Sequence, residues 1–394
     1  MNDKILEKAV QDYINLNLSA DVNQIALAKS PFEHISAAEI ANQISAKKKS
    51  EKKLPTWFST NGIYYPSALS IEQTSSEITA NYKSKLASGN SLIDITGGFG
   101  VDAFYFSKLI NVVTHCEINA ELSEIAERNA IVLGASKIKF KAEDGINYLT
   151  NTGDQFDSIY IDPARRAEKG KVFMLKDCTP DVVSNLELLK HKAKRLIIKT
   201  APLLDISAGL SELNSVKEIH IVSVKNECKE LVWVVKSGFT GQPEIVAVTL
   251  NDKEKKFSFF RGDTNKKPTF TEHIKSTSYL YEPDAALLKT GAFNLIALRY
   301  NLKKLHPQTQ LYNSELVDPS FPGRIFKIKE ILSTGDLKKI KSLTGNVIVR
   351  NYPAKAEELI KKYKIKGDKE NFLIFTKNGS EENVIIKAEI LQYY

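Results

Sequence analysis

Along the 394 residues, the spacing of apolar side chains changes character twice. Up to residue 88 it is helical. Ile5, Val10, Tyr13 and Ile14 recur on one face, and Ile40 and Ile44 follow Ser36, a residue type that caps helix N-termini. The stretch KKKSEKKLP at 47–55 reads as a charged connector that interrupts this pattern. Residues 70–86 predict a further helix with Ser75 or Ser76 at its N-cap. From Ser91 short apolar runs alternate with amphipathic stretches such as ELSEIAERNAIVLG, the signature of βαβ units and a mainly parallel sheet. SLIDI, VVTHCEI, IKFKAE, FDSIYID, RLIIKT, EIHIVSV and ELVWVVKSG predict seven strands. Only KNECK separates the last two, far too little for a parallel crossover, so they must form an antiparallel hairpin.

After Gly238 the pattern is mixed. EIVAVTL and KKFSFFRG read as a strand pair, and YEPDAALLKTGAFNLIALRYNL reads as one helix entered after Pro283. From FPGRIFKIKEIL onward, strands surround the helix AKAEELIKKY in a small α+β arrangement. The expected divisions are a helical region at 1–88, an α/β domain at 89–240, a linker and further segment at 241–322, and a basic domain at 323–394.

Composition narrows the class. With 42% hydrophobic and 26% charged residues the chain matches globular proteins and not disordered or fibrous ones. No run approaches the roughly 18 apolar residues of a membrane helix, and the charged start MNDKILEKAVQDYI lacks a secretory apolar region. Cytoplasm is therefore the expected compartment, with no membrane association. Cys116, Cys178 and Cys228 form no CxxC pair and the six histidines show no ligand spacing, so neither a disulfide framework nor a metal site is expected. The cysteines, Trp57 and Trp233 are expected in the core. The net charge of +8 is uneven: the first 240 residues are neutral, whereas 323–394 hold 15 basic and 9 acidic side chains. A basic appendix on a neutral body suits a module that grips phosphates while another domain does chemistry.

The candidate chemistry starts at Asp94-Ile95-Thr96-Gly97-Gly98-Phe99-Gly100, where a strand enters a glycine-rich turn that opens a helix. Glycines permit positive φ and remove Cβ, so the backbone approaches a ligand closely. Three further acids stand at the ends of successive strands: Glu117, Asp144 and Asp162. Glu117, 23 residues after Asp94, suits a pair of ribose hydroxyls. All four would gather at the C-terminal edge of one parallel sheet, where open α/β folds bind ligands.

This ordered set resembles the class I S-adenosylmethionine-dependent methyltransferases over about residues 70–240, which implies a seven-stranded Rossmann-like sheet closed by the antiparallel hairpin. The resemblance implies S-adenosylmethionine as cofactor. Asp94, Thr96, Gly97, Gly98 and Gly100 would line its methionine and ribose region, Glu117 would bind the ribose, Ile118 would pack on the adenine and Asp144 would face the adenine amino group. Gln73, Ser75 and Ser76 stand where a helix N-terminus either covers the cofactor's carboxylate or is simply capped. More narrowly, EQTSSEITANYK, DITGGFGVD, DPARR, NECKEL and LYEPDAALLKTGAFN resemble a bacterial methyltransferase family that ends in a THUMP-like domain. That family implies a ferredoxin-like segment near 279–322 and the THUMP-like module beyond it. THUMP domains bring structured RNA to a catalytic domain, so tRNA or rRNA is the implied partner.

The motif after the fourth strand bears on the substrate. Amino-methylating relatives carry Asn/Asp-Pro-Pro-aromatic, in which the acid or amide accepts hydrogen bonds from the target amine and the ring stacks on the base. Here Asp162-Pro163 is kept, Ala164 replaces the second proline and Arg165 replaces the ring. Asp162 and Arg165 are the expected catalytic residues, with Asp162 also facing the cofactor. Pro163, Arg165, Arg166 and Lys229 are the expected substrate contacts. DPAR also resembles the DPPR of RNA uracil-C5 methyltransferases. Those enzymes need a cysteine after the fifth strand, where this chain has Lys199-Thr200-Ala201-Pro202, so covalent C5 chemistry is disfavoured. A base nitrogen of RNA is the favoured acceptor. The alternatives are a small-molecule or protein methyltransferase, or a non-catalytic RNA-binding protein that keeps the cofactor fold as a scaffold.

Overall fold

A computed structural model describes residues 1–165, 174–264, 267–271, 273–337, 339–340 and 342–394. The chain forms two units, Met1–Lys217 with Val232–Gly241, and Glu218–Leu231 with Gln242–Tyr394.

The first unit opens with six helices: α1 (Lys8–Leu16), α2 (Val22–Leu27), α3 (Ala37–Lys53), α4 (Pro55–Ser59), α5 (Ala68–Gln73) and α6 (Glu77–Ser84). Ser36 caps α3 in a reciprocal capping box with Glu39. The stretch expected as a connector is instead the second half of α3. Lysine is a good helix former and no breaker occurs before Pro55, which starts α4. Ser76 caps α6 through Thr79 N–H. These helices bury Ile40, Ile44, Leu54, Trp57 and Ile71 in one cluster with Phe99 and Phe104.

Next come β1 (Ser91–Asp94), α7 (Val101–Ser107), β2 (Val112–Cys116), α8 (Ala120–Val132), β3 (Ile138–Lys141), α9 (Gly145–Asn151) and β4 (Phe156–Ile161). A two-residue antiparallel ladder follows, β5 (Ala164–Arg165) on β6 (Cys178–Thr179). Such short strands carry no periodicity and are invisible in the sequence. Then come α10 (Leu186–Lys192), β7 (Ala193–Thr200) and α11 (Ile206–Glu212). The parallel strands lie in the order β3-β2-β1-β4-β7. Chain order reverses between β1 and β4, the switch point at which open α/β sheets bind ligands. The hairpin strands are β8 (Val216–Val224) and β9 (Glu227–Lys236), and the half of β9 from Val232 onward belongs to this unit beside β7. Trp233, fully buried, donates Nε1–H to Thr200 Oγ1 at 3.0 Å and so fixes the end of β7.

In the second unit, Lys225 and Asn226 form the hairpin turn with φ of +51° and +61°, as a two-residue type I′ turn requires. Glu227 and Lys229, which fall within the expected KNECK connection, therefore lie in β9, because two residues suffice to reverse the chain. β10 (Glu244–Leu250) runs parallel to β8, with Glu244 opposite Glu218, and β11 (Glu254–Phe260) runs antiparallel to β10. The strand pair expected within a linker thus extends the β8 edge. β10 is buried from Ile245 to Leu250, as a strand covered on both faces must be.

A second sheet has the order β13-β14-β12-β15-β18-β17-β16. Its strands are β12 (Tyr279–Pro283), β13 (Lys303–His306), β14 (Thr309–Ser314), β15 (Gly323–Ser333), β16 (Asn346–Val349), β17 (Asn371–Lys377) and β18 (Asn383–Gln392). The single helix expected after Pro283 is two, α12 (Ala285–Thr290) and α13 (Phe293–Arg299). Gly291, at φ +69°, ends the first in the left-handed conformation. α14 (Thr334–Leu337) and α15 (Ala356–Tyr363) complete the unit. Period-2 alternation splits its core: Phe326, Ile374 and Ile386 face one cluster, and Leu373, Phe375 and Ile385 face another with Leu359 of α15.

Candidate active site

The turn after β1 is built on two strands at once. Gly97 N–H donates to Cys116 O at 2.8 Å, and Gly98 N–H donates to Glu117 Oε2 at 2.9 Å. Asn119 N–H reaches the other Glu117 oxygen at 2.8 Å, so this carboxylate is oriented by two backbone donors before any ligand arrives. Gly98 and Gly100 have φ of +55° and +82°, which the sequence reading requires of a cradle. Gly97 answers a different constraint. A Cβ there would sit 2.2 Å from His115 Nε2, because the fully buried His115 ring lies under the turn. Burial pushes the His115 pKa down to about 4, so the ring is neutral at neutral pH. Gly145, at the start of α9, is equally constrained: its Cβ would meet the Ile95 carbonyl oxygen at 2.4 Å.

Asp94 closes β1 and is 1% exposed. Its Oδ1 accepts Thr96 N–H at 3.0 Å and the Thr96 hydroxyl at 3.3 Å, while Oδ2 is buried with no partner among the described residues. Burial, and after it the charge of Asp102, holds the Asp94 pKa well above the usual carboxylate range. Asp102 itself is paired. Lys83, 0% exposed, places Nζ 2.9 Å from Asp102 Oδ1 and donates to Ser75 Oγ at 2.6 Å. Ser75 in turn donates to Asp102 Oδ2 at 2.7 Å, and the Tyr160 hydroxyl donates to the same oxygen at 3.1 Å. A buried network is stable only when its members are satisfied, and this one fastens α6 to α7 behind the glycine turn. Ser75 therefore bonds Asp102, and the capping role falls to Ser76 alone.

At the end of β4 the Asp162 N–H donates to Thr96 Oγ1 at 2.8 Å. The Asp162 carboxylate is clasped by Lys199, whose Nζ lies 2.9 and 2.8 Å from its two oxygens. The side chains are 18% and 26% exposed for Lys199 and Asp162. Lys199 is the residue that sequence reasoning passed over. It registers there only as the absence of a cysteine, although RLIIKT places a lone charge at a strand end directly beside β4.

Asp94's neighbour Thr96, Gly97, Gly98, Glu117, Ile118, Asp144, Asp162, Pro163 and Lys199 line a single crevice of about 680 Å³, within the range of small-molecule sites. Ile118 is 72% exposed at its rim. Asp144 caps α9 through Asn147 N–H at 2.9 Å, and Gly100 opens α7 just behind the turn. Arg165 contributes its backbone to β5, and Arg166 lies outside the described residues. Lys229 is in the second unit, 2.6 Å from Glu227 on β9. Among the described residues no cluster of three or more His, Cys, Asp or Glu is placed to hold a metal, and no helix is long and apolar enough to cross a membrane.

Comparison with known proteins identifies the family. Residues 279–322 match a family model described as a ferredoxin-like domain, and residues 323–389 match one described as THUMP domain-like. A crystal structure from Porphyromonas gingivalis W83, designated a methyltransferase, aligns over 99% of this chain and 98% of its own at 30% identity, with a TM-score of 0.86. Two Mycobacterium tuberculosis proteins, each named an uncharacterized S-adenosylmethionine-dependent methyltransferase, are 20% identical over 317 residues, 79% of this chain and 84% of theirs. The protein is an S-adenosylmethionine-dependent methyltransferase with a Rossmann-like catalytic sheet. The chain belongs to the bacterial family of these enzymes that carries a C-terminal ferredoxin-like and THUMP-like module.

Proposed function

We propose that the protein methylates RNA, and that its C-terminal module holds the RNA. The observation that carries this reading is the THUMP-like match over residues 323–389 in a chain whose other end holds a methyl-transfer crevice. The excess of 15 basic over 9 acidic side chains in 323–394 supports it, since backbone binding requires phosphate neutralisation.

S-adenosylmethionine, when bound, supplies a methyl group already activated on a sulfonium. The crevice fits it in kind. Asp94, which does not itself line the crevice but is buried beside its Thr96 wall with Oδ2 lacking a partner among the described residues, suits the α-ammonium, and Glu117, pre-oriented by two N–H groups, suits the ribose hydroxyls. Exposed Ile118 suits the adenine face, and Asp144 suits its amino group. Thr96, Gly97, Gly98 and Gly100 let the backbone come close. Asp162, with Pro163 and the Arg165 segment, faces the acceptor. The sequence favours a base nitrogen there; the Lys199–Asp162 clasp weighs against it.

The test of the RNA reading uses the intact protein and methyl-tritiated S-adenosylmethionine, with RNA, protein and small-molecule fractions from cells that lack the protein. Label in RNA is expected, and label confined to protein or small molecules overturns the reading.

A second expectation concerns Asp94. Its raised folded pKa favours the protonated form, so its own contribution to stability is present at low pH and lost as pH rises through that raised value. A cation bound beside it pulls the pKa down again. Binding of S-adenosylhomocysteine, which keeps the α-ammonium, should therefore release protons and strengthen with rising pH. Calorimetry in two buffers of different ionisation enthalpy measures this, and proton uptake or no exchange would remove Asp94 from the ammonium site.

A further inference from the structure

We infer that the acceptor is a hydroxyl oxygen, the 2′-hydroxyl of an RNA ribose, and not an amine nitrogen; the inference rests on RNA being the substrate. Three observations carry it.

The first is the cation beside Asp162. In an amine-methylating site the acid or amide at this position accepts hydrogen bonds from the target NH₂. Here the Lys199 ammonium spans both carboxylate oxygens, at 2.9 and 2.8 Å, and leaves each a further lone pair, so an acceptor placed there meets a carboxylate and a positive charge together. The clasp is fixed on both sides, because Asp162 N–H is held by Thr96 Oγ1, and Thr200, next to Lys199, is held by Trp233.

The second is the sign of the charge. A neutral amine that attacks a methyl sulfonium becomes cationic, and an ammonium beside it opposes that change. A hydroxyl is a poor nucleophile until its proton leaves, and negative charge then grows on its oxygen. Lys199 is placed to stabilise that charge and Asp162 to take the proton. The step balances. The hydroxyl O–H bond breaks and its proton goes to the Asp162 carboxylate. The oxygen lone pair forms the new O–CH₃ bond as the S–CH₃ bond breaks, and the sulfur keeps that electron pair as the neutral thioether.

The third is the make-up of the described crevice lining, to which the Arg165 side chain and residues 166–173 do not belong. Pro163, Ala164, Thr179, Pro180 and Ala201 line the same crevice as the clasp. Among the described lining residues the one aromatic ring is Phe99, which is buried in the helical cluster behind the turn. An unstacked base needs an aromatic or guanidinium plane to rest on. A ribose does not, and its 2′-hydroxyl is the group that distinguishes RNA from DNA.

The experiment methylates tRNA and rRNA fractions, taken from cells lacking the protein, with tritiated donor and the full-length enzyme, then digests them to nucleosides for mass spectrometry. A 2′-O-methylnucleoside is expected. Label on a base overturns the hydroxyl inference and leaves the RNA reading standing. No label in RNA overturns both. Two variants test the chemistry, each checked for fold by calorimetric binding of S-adenosylhomocysteine, which should stay within about tenfold of the parent, roughly the effect of 1.4 kcal/mol. Lys199→Met should lower turnover by about 10²–10³-fold, the usual cost of losing one preorganised charge stabiliser. Asp162→Asn should lose as much or more, because an amide accepts a hydrogen bond but no proton. Near-parental turnover in either variant overturns the inference.

Discussion

Asp162→Ala should lower methyl transfer by about a thousandfold or more while S-adenosylhomocysteine still binds. The backbone at this position is held through its N–H to Thr96 Oγ1, a bond alanine retains, so the end of β4 should stay in place. What disappears is the carboxylate. Loss of a positioned acid or base typically costs 10²–10⁴-fold, and the freed Lys199 ammonium would then face the acceptor without its counter-ion. Lys199 reaches water through the crevice, being 18% exposed, so the variant carries no fully buried unpaired charge and should fold. Single-turnover rates with labelled donor, set beside a calorimetric binding curve, give both numbers. Unchanged turnover removes Asp162 from the mechanism, and loss of binding with loss of turnover moves it to the cofactor side of the crevice.

The second large effect is expected at Gly97→Ala. The added methyl would lie 2.2–2.5 Å from three atoms of the His115 ring. That ring is fully buried and packs on Phe140 at 4.8 Å, so it has nowhere to go. Overpacking of this kind costs about 1–3 kcal/mol. Any relief comes from moving the turn, and both the Gly97–Cys116 and Gly98–Glu117 bonds depend on its position. We expect a lower denaturation midpoint and binding of S-adenosylhomocysteine weakened by about 30-fold or more, the equivalent of roughly 2 kcal/mol at 1.4 kcal/mol per tenfold. Adding His115→Ala should restore much of the affinity by opening the space. If Gly97→Ala binds as the parent does, the turn is not what receives the ligand.

The comparison of sequence with structure separates two kinds of information. Strands such as SLIDI and RLIIKT are legible because an apolar run between helical segments has few other homes. The glycine turn and the acids after it are legible because their residue types are costly elsewhere: positive φ at Gly98 and Gly100, and a carboxylate buried at Asp94. Partner choice is not legible. Lys83 and Lys199 look like any other lysines in the chain, yet one is wholly buried against Asp102 and the other clasps Asp162. His115 reads as one more strand residue, and its position under Gly97 depends on the β1–β2 register. The lysine run in α3 and the parallel pairing of β10 with β8 were obscured for a related reason. Charge does not by itself end a helix, and an apolar strand does not announce which edge it will join.

The hairpin has a consequence for dissecting this enzyme. β9 changes unit midway, between Leu231 and Val232, so the polypeptide passes from one unit to the other three times and neither unit is an uninterrupted stretch of chain. A fragment ended at Gly241 would keep β8 but lose the β10 ladder from Glu244 to Thr249, leaving a raw apolar edge of the kind that recruits neighbouring molecules into aggregates. Both units thus share one interleaved thread, and a family member shortened near that point should be sought in inclusion bodies sooner than in solution.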